Sequence, residues 1–285
     1  MTISRPFIEQ TDPPRSPKET LPTMYDLPSE DPEEPGLPDE FHIWQPGLLS
    51  NTFRPVGYVA DQVFVATDLN LYYDVRHPNW YKRPDWFGVV GIPRLYEGKD
   101  LRLSYVLWQE GVRPTVVVEL LSPGTRAEDL GQTQRQQRSC SQSGNGGVVE
   151  SLADTPPSKW EVYEQILAVP YYIVFDRYTN ELQAFQLVGG CYQRLDLADD
   201  RIWLPTLQVG LGLWQGTYQG ATRQWLRWYD ARSNWILTGE EHERQEKEMA
   251  QQQAQAAQQQ AQAAQQRAEM LAEQLRAMGV NPDEL

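Results

Sequence analysis

The chain has 285 residues, of which 40% are hydrophobic, and its ten Trp and fourteen Tyr can fill one substantial core, although a mean hydropathy of -0.60 shows that polar segments dilute it. No run approaches the roughly 20 apolar residues of a membrane helix, and the opening residues lack the apolar stretch of a secretory signal, so a soluble cytoplasmic protein with no membrane partner is expected. The net charge of -14 argues against a surface that is electropositive throughout, the usual footprint of a nucleic-acid binder; residues 1–40 hold ten acids against Arg5, Arg15 and Lys18, a balance of -7 that is half of the total.

Residues 1–41 are rich in Pro and acids without helix or strand periodicity, which predicts a disordered arm. The mixed apolar spacing over 58–74 predicts a short helix leading into a strand. Pro84 then sets up an extended entry, with Asp85 at its start and strand residues after it, and 101–108 reads as a further strand. Residues 115–121 (TVVVELL) form a nearly continuous β-branched run, the pattern of a central strand buried on both faces, and Glu119 is its exception. Ser122, Pro123, Gly124 and Thr125 end that strand. Residues 130–157 are expected to form a long inserted loop.

Ser158 with Glu161 three residues on matches a capping box, the arrangement in which each side chain satisfies one orphan amide at a helix start. The helix it opens carries Lys159 in its first turn and places Trp160, Tyr163 and Leu167 on one face; 169–175 then reads as a strand. Strand, helix, strand implies a crossover in a partly parallel sheet, with 182–188 and 192–197 as an edge hairpin. A globular domain over 42–215 is therefore expected, followed by a Trp-rich connector over 216–239 and a helix over 240–285. That helix is Gln/Ala-rich. Ala254, Ala261, Ala268 and Leu275 recur every seven residues, as do Ala250, Ala257, Ala264, Leu271 and Met278, so it could form a coiled coil and join copies of the chain, or stand as a solvated single helix.

An ionised carboxylate in an apolar strand needs a partner. Glu119 could share a divalent cation with Asp85 and the backbone carbonyl of Leu120, an all-oxygen set suited to magnesium or manganese, with the Lys159 ammonium assisting; alternatively, Glu119 pairs with a cation as a core salt bridge and Asp85 only makes a turn. Pro84-Asp85, then 119–125 (ELLSPGT), then Lys159-x-x-x-Tyr163 and 171–176 (YYIVFD) resemble, in order, the signature blocks of the Uma-two family, proteins abundant in cyanobacteria that are described as restriction endonucleases of the PD-(D/E)XK nuclease superfamily. The resemblance covers roughly residues 50 to 215. It implies an α/β fold, a restriction-endonuclease-like mixed β-sheet flanked by helices, with a disordered N-terminal arm and a long C-terminal helix added here. It further implies magnesium as cofactor, DNA as substrate, Asp85 and Glu119 as metal ligands, and Lys159 in place of the superfamily lysine that would fall at Leu121.

Two departures from the family pattern stand out. In the family an Asp such as Asp129 lies only a few residues before the helical lysine, whereas here residues 130–158 intervene, which leaves open whether Lys159 reaches the metal; Asp129 itself is either a partner behind the metal ligands or, more readily, a loop acid. The family's glycine ahead of the next strand is replaced by Leu167. Glu161 and Glu164 read as solvent-facing helix residues.

Other chemistry finds little support. His42, His77 and His242 have no paired spacing for zinc or a catalytic triad, and Ser122 lacks the flanking glycines of a hydrolase elbow. Cys140 and Cys191 read as unpaired thiols, the glycines at 144, 146 and 147 as a flexible loop, and Arg135 and Arg138 as too isolated to form a DNA surface. Two functions remain: a magnesium-dependent DNA endonuclease using Asp85, Glu119 and Lys159, or a nuclease-derived interaction module that has lost cleavage. A lysine within reach of the carboxylates favours the first; one pointing to solvent favours the second.

Overall fold

The computed structural model describes residues 11–16, 39–122, 125–131 and 155–279. Most of the acidic arm, Pro123 and Gly124, and the greater part of the inserted segment, with Arg135, Arg138, Cys140 and the glycine run, lie outside the described residues. The chain divides into two units, Met1–Ile236 and Leu237–Leu285.

The first unit is built on a six-stranded mixed sheet. Its strands are β1 (Val63–Ala66), β4 (Trp86–Val90), β6 (Val116–Leu120), β7 (Tyr171–Asp176), β8 (Glu181–Val188) and β9 (Cys191–Arg194), in that spatial order. Only β6 and β7 run parallel, as a strand–helix–strand crossover requires; the other neighbours are antiparallel, and β8–β9 is the predicted edge hairpin. Every residue of β6 and β7 is buried. Their alternation divides the core: Val116, Val118 and Leu120 join Tyr171, Ile173 and Phe175 on one face, while Val117, Tyr172 and Val174 lie on the other. Because Glu119 follows the alternation of Val117, its carboxylate emerges on the second face.

A three-stranded antiparallel sheet of β10 (Arg201–Leu204), β11 (Val209–Tyr218) and β12 (Ala221–Tyr229) contributes Leu204, Leu211, Trp225 and Trp228 to the first core. The expected connector over 216–239 is therefore corrected. Trp225 and Trp228 are buried on β12, and each buried large side chain is worth roughly 1.5–3 kcal/mol, so this part of the chain is held in the core. The same core receives α1 (Glu40–Thr52), a helix that sequence periodicity did not predict. Asp39 caps it through a bond from the His42 amide, and Gln45, fully buried, donates to the Leu226 carbonyl and accepts from the Leu226 amide, docking the helix on β12. Pro46 in its interior removes one helical donor, and the apolar pattern is irregular.

On the second face lies a small sheet of β2 (Leu71–Tyr72), β3 (Tyr81–Lys82) and β5 (Tyr105–Val106). The strand expected over 101–108 is thus shorter than its apolar pattern suggested, and a one-turn helix, α2 (Leu107–Glu110), follows it. Another short helix, α3 (Arg126–Asp129), comes after β6, and α4 (Lys159–Glu161) begins with the predicted capping box of Ser158 and Glu161 and runs into a π turn, Val162–Ile166. Leu167 closes that turn, and the next residue, Ala168, adopts a left-handed conformation at φ 49°.

The second unit contains α5 (Gly239–Ala277), 39 residues long, capped by a second reciprocal box of Thr238 and Glu241. None of its residues is buried, including those of the heptad seam. Among the described residues no helix is long and apolar enough to cross a membrane.

Candidate active site

The site lies at the carboxyl ends of the parallel pair β6 and β7, the edge of an α/β sheet at which chain crossovers leave a crevice. In β4, Trp86 pairs with Val118, so the antiparallel register extended by one residue sets Asp85 opposite Glu119. Pro84 has no amide hydrogen to continue the ladder, and side chains complete it instead: the Leu120 amide donates to Asp85 Oδ2 at 2.6 Å and the Asp85 amide approaches Glu119 Oε2 at 3.5 Å.

Lys159 reaches the carboxylates despite the intervening segment. Its Nζ donates to Glu119 Oε2 at 3.0 Å and lies 3.0 Å from Asp129 Oδ1. Glu128 makes this reach possible, because its Oε1 accepts from the Lys159 amide at 2.8 Å and from Lys82 Nζ at 3.1 Å, tying α3 to the start of α4. Tyr163, one turn on, donates its hydroxyl to Glu119 Oε1 at 2.8 Å, so both oxygens of the carboxylate are held from one helical segment. Tyr172 donates to the Asp129 carbonyl at 2.8 Å and fixes the end of α3.

Asp129 is thereby placed in the cluster, and the reading of it as a loop acid is corrected: it is fully buried, and neither of its oxygens has a well-aligned hydrogen-bond donor. Glu164 is likewise not solvent-facing. It is 3% exposed and accepts from the Tyr192 amide at 2.7 Å, because the π turn rotates it toward the edge hairpin. Glu161 serves the cap.

Electrostatics follow from burial and from an excess of acid. Burial pushes the Glu119 carboxyl well above 4.5, Lys159 opposes the shift, and the charges of Asp129 and Asp85 add to it. Asp129 is raised as well, again chiefly by burial against the pull of Lys159. For Lys159 burial favours the neutral amine, but Glu119, Asp129 and Asp85 together outweigh it and keep the ammonium charged. Three acids thus share one buried cation.

Two further residues adjoin this cluster. His42, in the first turn of α1, sets Nδ1 2.8 Å from Asp39 Oδ1; burial works against its charge, while Asp39, Asp85 and a hydrogen bond to the Leu120 backbone raise its pKa. Asp68 is raised by burial and by the negative charge of Asp85. The one sequence signal that could have pointed to His42 is its position three residues after a capping Asp. His77 and His242 take no part: His77 stacks on Trp80 and His242 lies on α5.

Among the described residues no three His, Cys, Asp or Glu side chains converge as a complete protein cage. Magnesium needs none, since it keeps several waters and is commonly held by one or two carboxylates, and the excess of buried negative charge here suits a hard cation. The Leu120 carbonyl has two lone pairs, so its contact with His42 does not exclude a second ligand.

Sheet order and site position define a mixed α/β protein of the restriction-endonuclease-like kind. The model of the Uma2 family, described as "Putative restriction endonuclease", matches residues 15–217, more than half of the chain, and the protein belongs to that family. No curated protein matches it.

Proposed function

We propose that this protein is a divalent-metal-dependent DNA endonuclease that hydrolyses phosphodiester bonds at the Asp85–Glu119–Lys159 cluster. The observation that carries the reading is Lys159 Nζ at 3.0 Å from both Glu119 and Asp129, in an acid-rich cluster at the end of the sheet. A lysine turned to solvent would have favoured the module without cleavage.

Asp85, Glu119 and the Leu120 carbonyl would hold magnesium or manganese, which supplies Lewis-acid polarisation of the phosphodiester and a bound water of lowered pKa. Around that centre the protein's own groups act as positioners. Tyr163 and Lys159 clamp the Glu119 carboxylate from two sides and remove its rotational freedom, and Glu128 keeps the lysine's helix start against α3. The Lys159 ammonium remains protonated between its acids and presents positive charge where a phosphorane-like transition state gathers negative charge.

Supercoiled plasmid incubated with the purified full chain and magnesium or manganese should be nicked, with the rate falling at least about 100-fold in both Asp85→Asn and Glu119→Gln while circular dichroism stays native. DNA left intact with either metal, or variants that cut at the parent's rate, would overturn catalysis at this site.

A further inference from the structure

On the opposite face of the sheet from Glu119, but at the same strand-end edge, two arginines meet over one aromatic ring. Arg177 directly follows β7, whose last pairs with β6 align Leu120 with Phe175. Its guanidinium lies 5.4 Å from the centroid of Phe41 and 4.6 Å from that of Tyr178. Arg223, from β12, lies 4.3 Å from the Phe41 centroid and donates to the Arg177 carbonyl at 3.1 Å and to the Gln224 carbonyl at 3.3 Å.

Charge is not balanced there. Asp39 pairs with Arg177 at 2.5 Å and shares its other oxygen with His42. Among the described residues no carboxylate pairs with Arg223. Burial and the charge of Arg177 both lower its pKa, with Asp39 and Tyr178 opposing them. A guanidinium carries five donors, and the carbonyls of Arg177 and Gln224 occupy two of those of Arg223. The stacked ring and the two carbonyls hold it in place with little remaining freedom. Such a fork suits a phosphate oxygen pair.

We infer that Arg223, with Arg177 beside it, forms a subsite for a backbone phosphate of the bound nucleic-acid strand, flanking the phosphodiester that faces Glu119. The inference rests on the nuclease reading for its substrate class. The subsite supplies cation where the acidic chain otherwise offers little, and α1 links it to the Glu119 cluster through Asp39 and His42. Tyr178, 56% exposed at its rim, marks the open side.

The test is fluorescence anisotropy with a labelled DNA duplex and the full chain, calcium replacing magnesium to prevent turnover, from 50 to 200 mM salt as a roughly fourfold range. Arg223→Gln should weaken binding about 5- to 20-fold and reduce the slope of log affinity against log salt by about 0.9, the loss of one phosphate contact. Arg223→Lys should restore the slope. Tyr178→Glu, an exposed change that adds a negative charge to the rim without disturbing the core, should lower affinity in the same direction.

In cleavage assays Arg223→Gln should raise KM by a similar factor with kcat unchanged, which a merely structural role, seen as a lower Tm with an intact slope, would not produce. An unchanged slope in Arg223→Gln overturns the subsite whatever Tyr178→Glu does, as does failure of the parent protein to bind DNA. A protein that binds through Arg223 without cutting leaves the subsite standing and removes the nuclease reading; one that cuts with an unaltered Arg223→Gln slope removes the subsite alone.

Discussion

Two buried ionic groupings in the first unit show how differently charge can be accommodated. Arg102 and Glu110 are 2% and 8% exposed, and their fork is bidentate at 2.7 and 3.0 Å. Two of the three remaining Arg102 donors go to the carbonyls of Arg94 and Pro93, and the guanidinium lies 4.4 Å from the centroid of Phe64. One cation meets one anion, and the pair pins the segment before β5 to α2. Lys159, by contrast, faces Glu119 and Asp129 with Asp85 close behind. Burial is similar in the two places and balance is not. A buried pair that closes on itself is structural, whereas an excess of buried acid is the charge pattern that the proposed metal site calls for.

The comparison can be broken most sharply at its balanced member. Arg102→Met leaves Glu110 buried without its partner and should cost about 3–5 kcal/mol in denaturant unfolding, independent of added magnesium. A loss well below this would show that the pair is not holding the segment.

Lys159→Met should cost about 3 kcal/mol at pH 7.5, with a pH dependence that Arg102→Met lacks. Without the ammonium, the carboxyls of Glu119 and Asp129, already raised in the folded protein, are raised further. Groups whose folded pKa exceeds the unfolded one bind more protons in the folded state, so their unfavourable contribution at high pH is relieved as the pH falls through the folded values. The variant should therefore recover stability as the pH falls from 7.5. A flat profile would contradict the excess of acid.

The smallest effect is the most specific. Magnesium at tenfold its dissociation constant should stabilise the parent protein by about 1.4 kcal/mol, read as a rise in Tm, and Glu119→Gln should abolish that rise while Arg102→Met retains it. Equal stabilisation of the parent and Glu119→Gln would place the cation elsewhere.

Much of the site was legible because it is local. The β-branched run around Glu119 needs only burial on both faces to become a central strand, and the Ser158–Glu161 box defines the start of a helix by bonds within four residues. The hidden parts depend on residues distant in the chain. Asp129 looks like a loop acid until Lys159, thirty positions on, turns back to it, and Glu164 faces inward because of a π turn. His42 sits on a helix whose interior proline and buried glutamine obscure its pattern; that helix exists because Gln45 completes the backbone bonds of Leu226.

By itself, then, the sequence determined the central strand, the crossover to its parallel neighbour, the helix capped by Ser158, the long C-terminal helix and the pairing of Asp85 with Glu119 as candidate ligands, since each follows from periodicity, capping or motif order over short spans. Only the tertiary structure decided that Lys159 reaches the carboxylates, that Asp129 completes an acid excess around it, that Trp225 and Trp228 belong to the core, and that Arg177 and Arg223 share one ring at the same edge. The reason is physical: burial and charge balance are properties of what surrounds a side chain, and that surrounding is assembled by sheet register and packing across long separations in the chain.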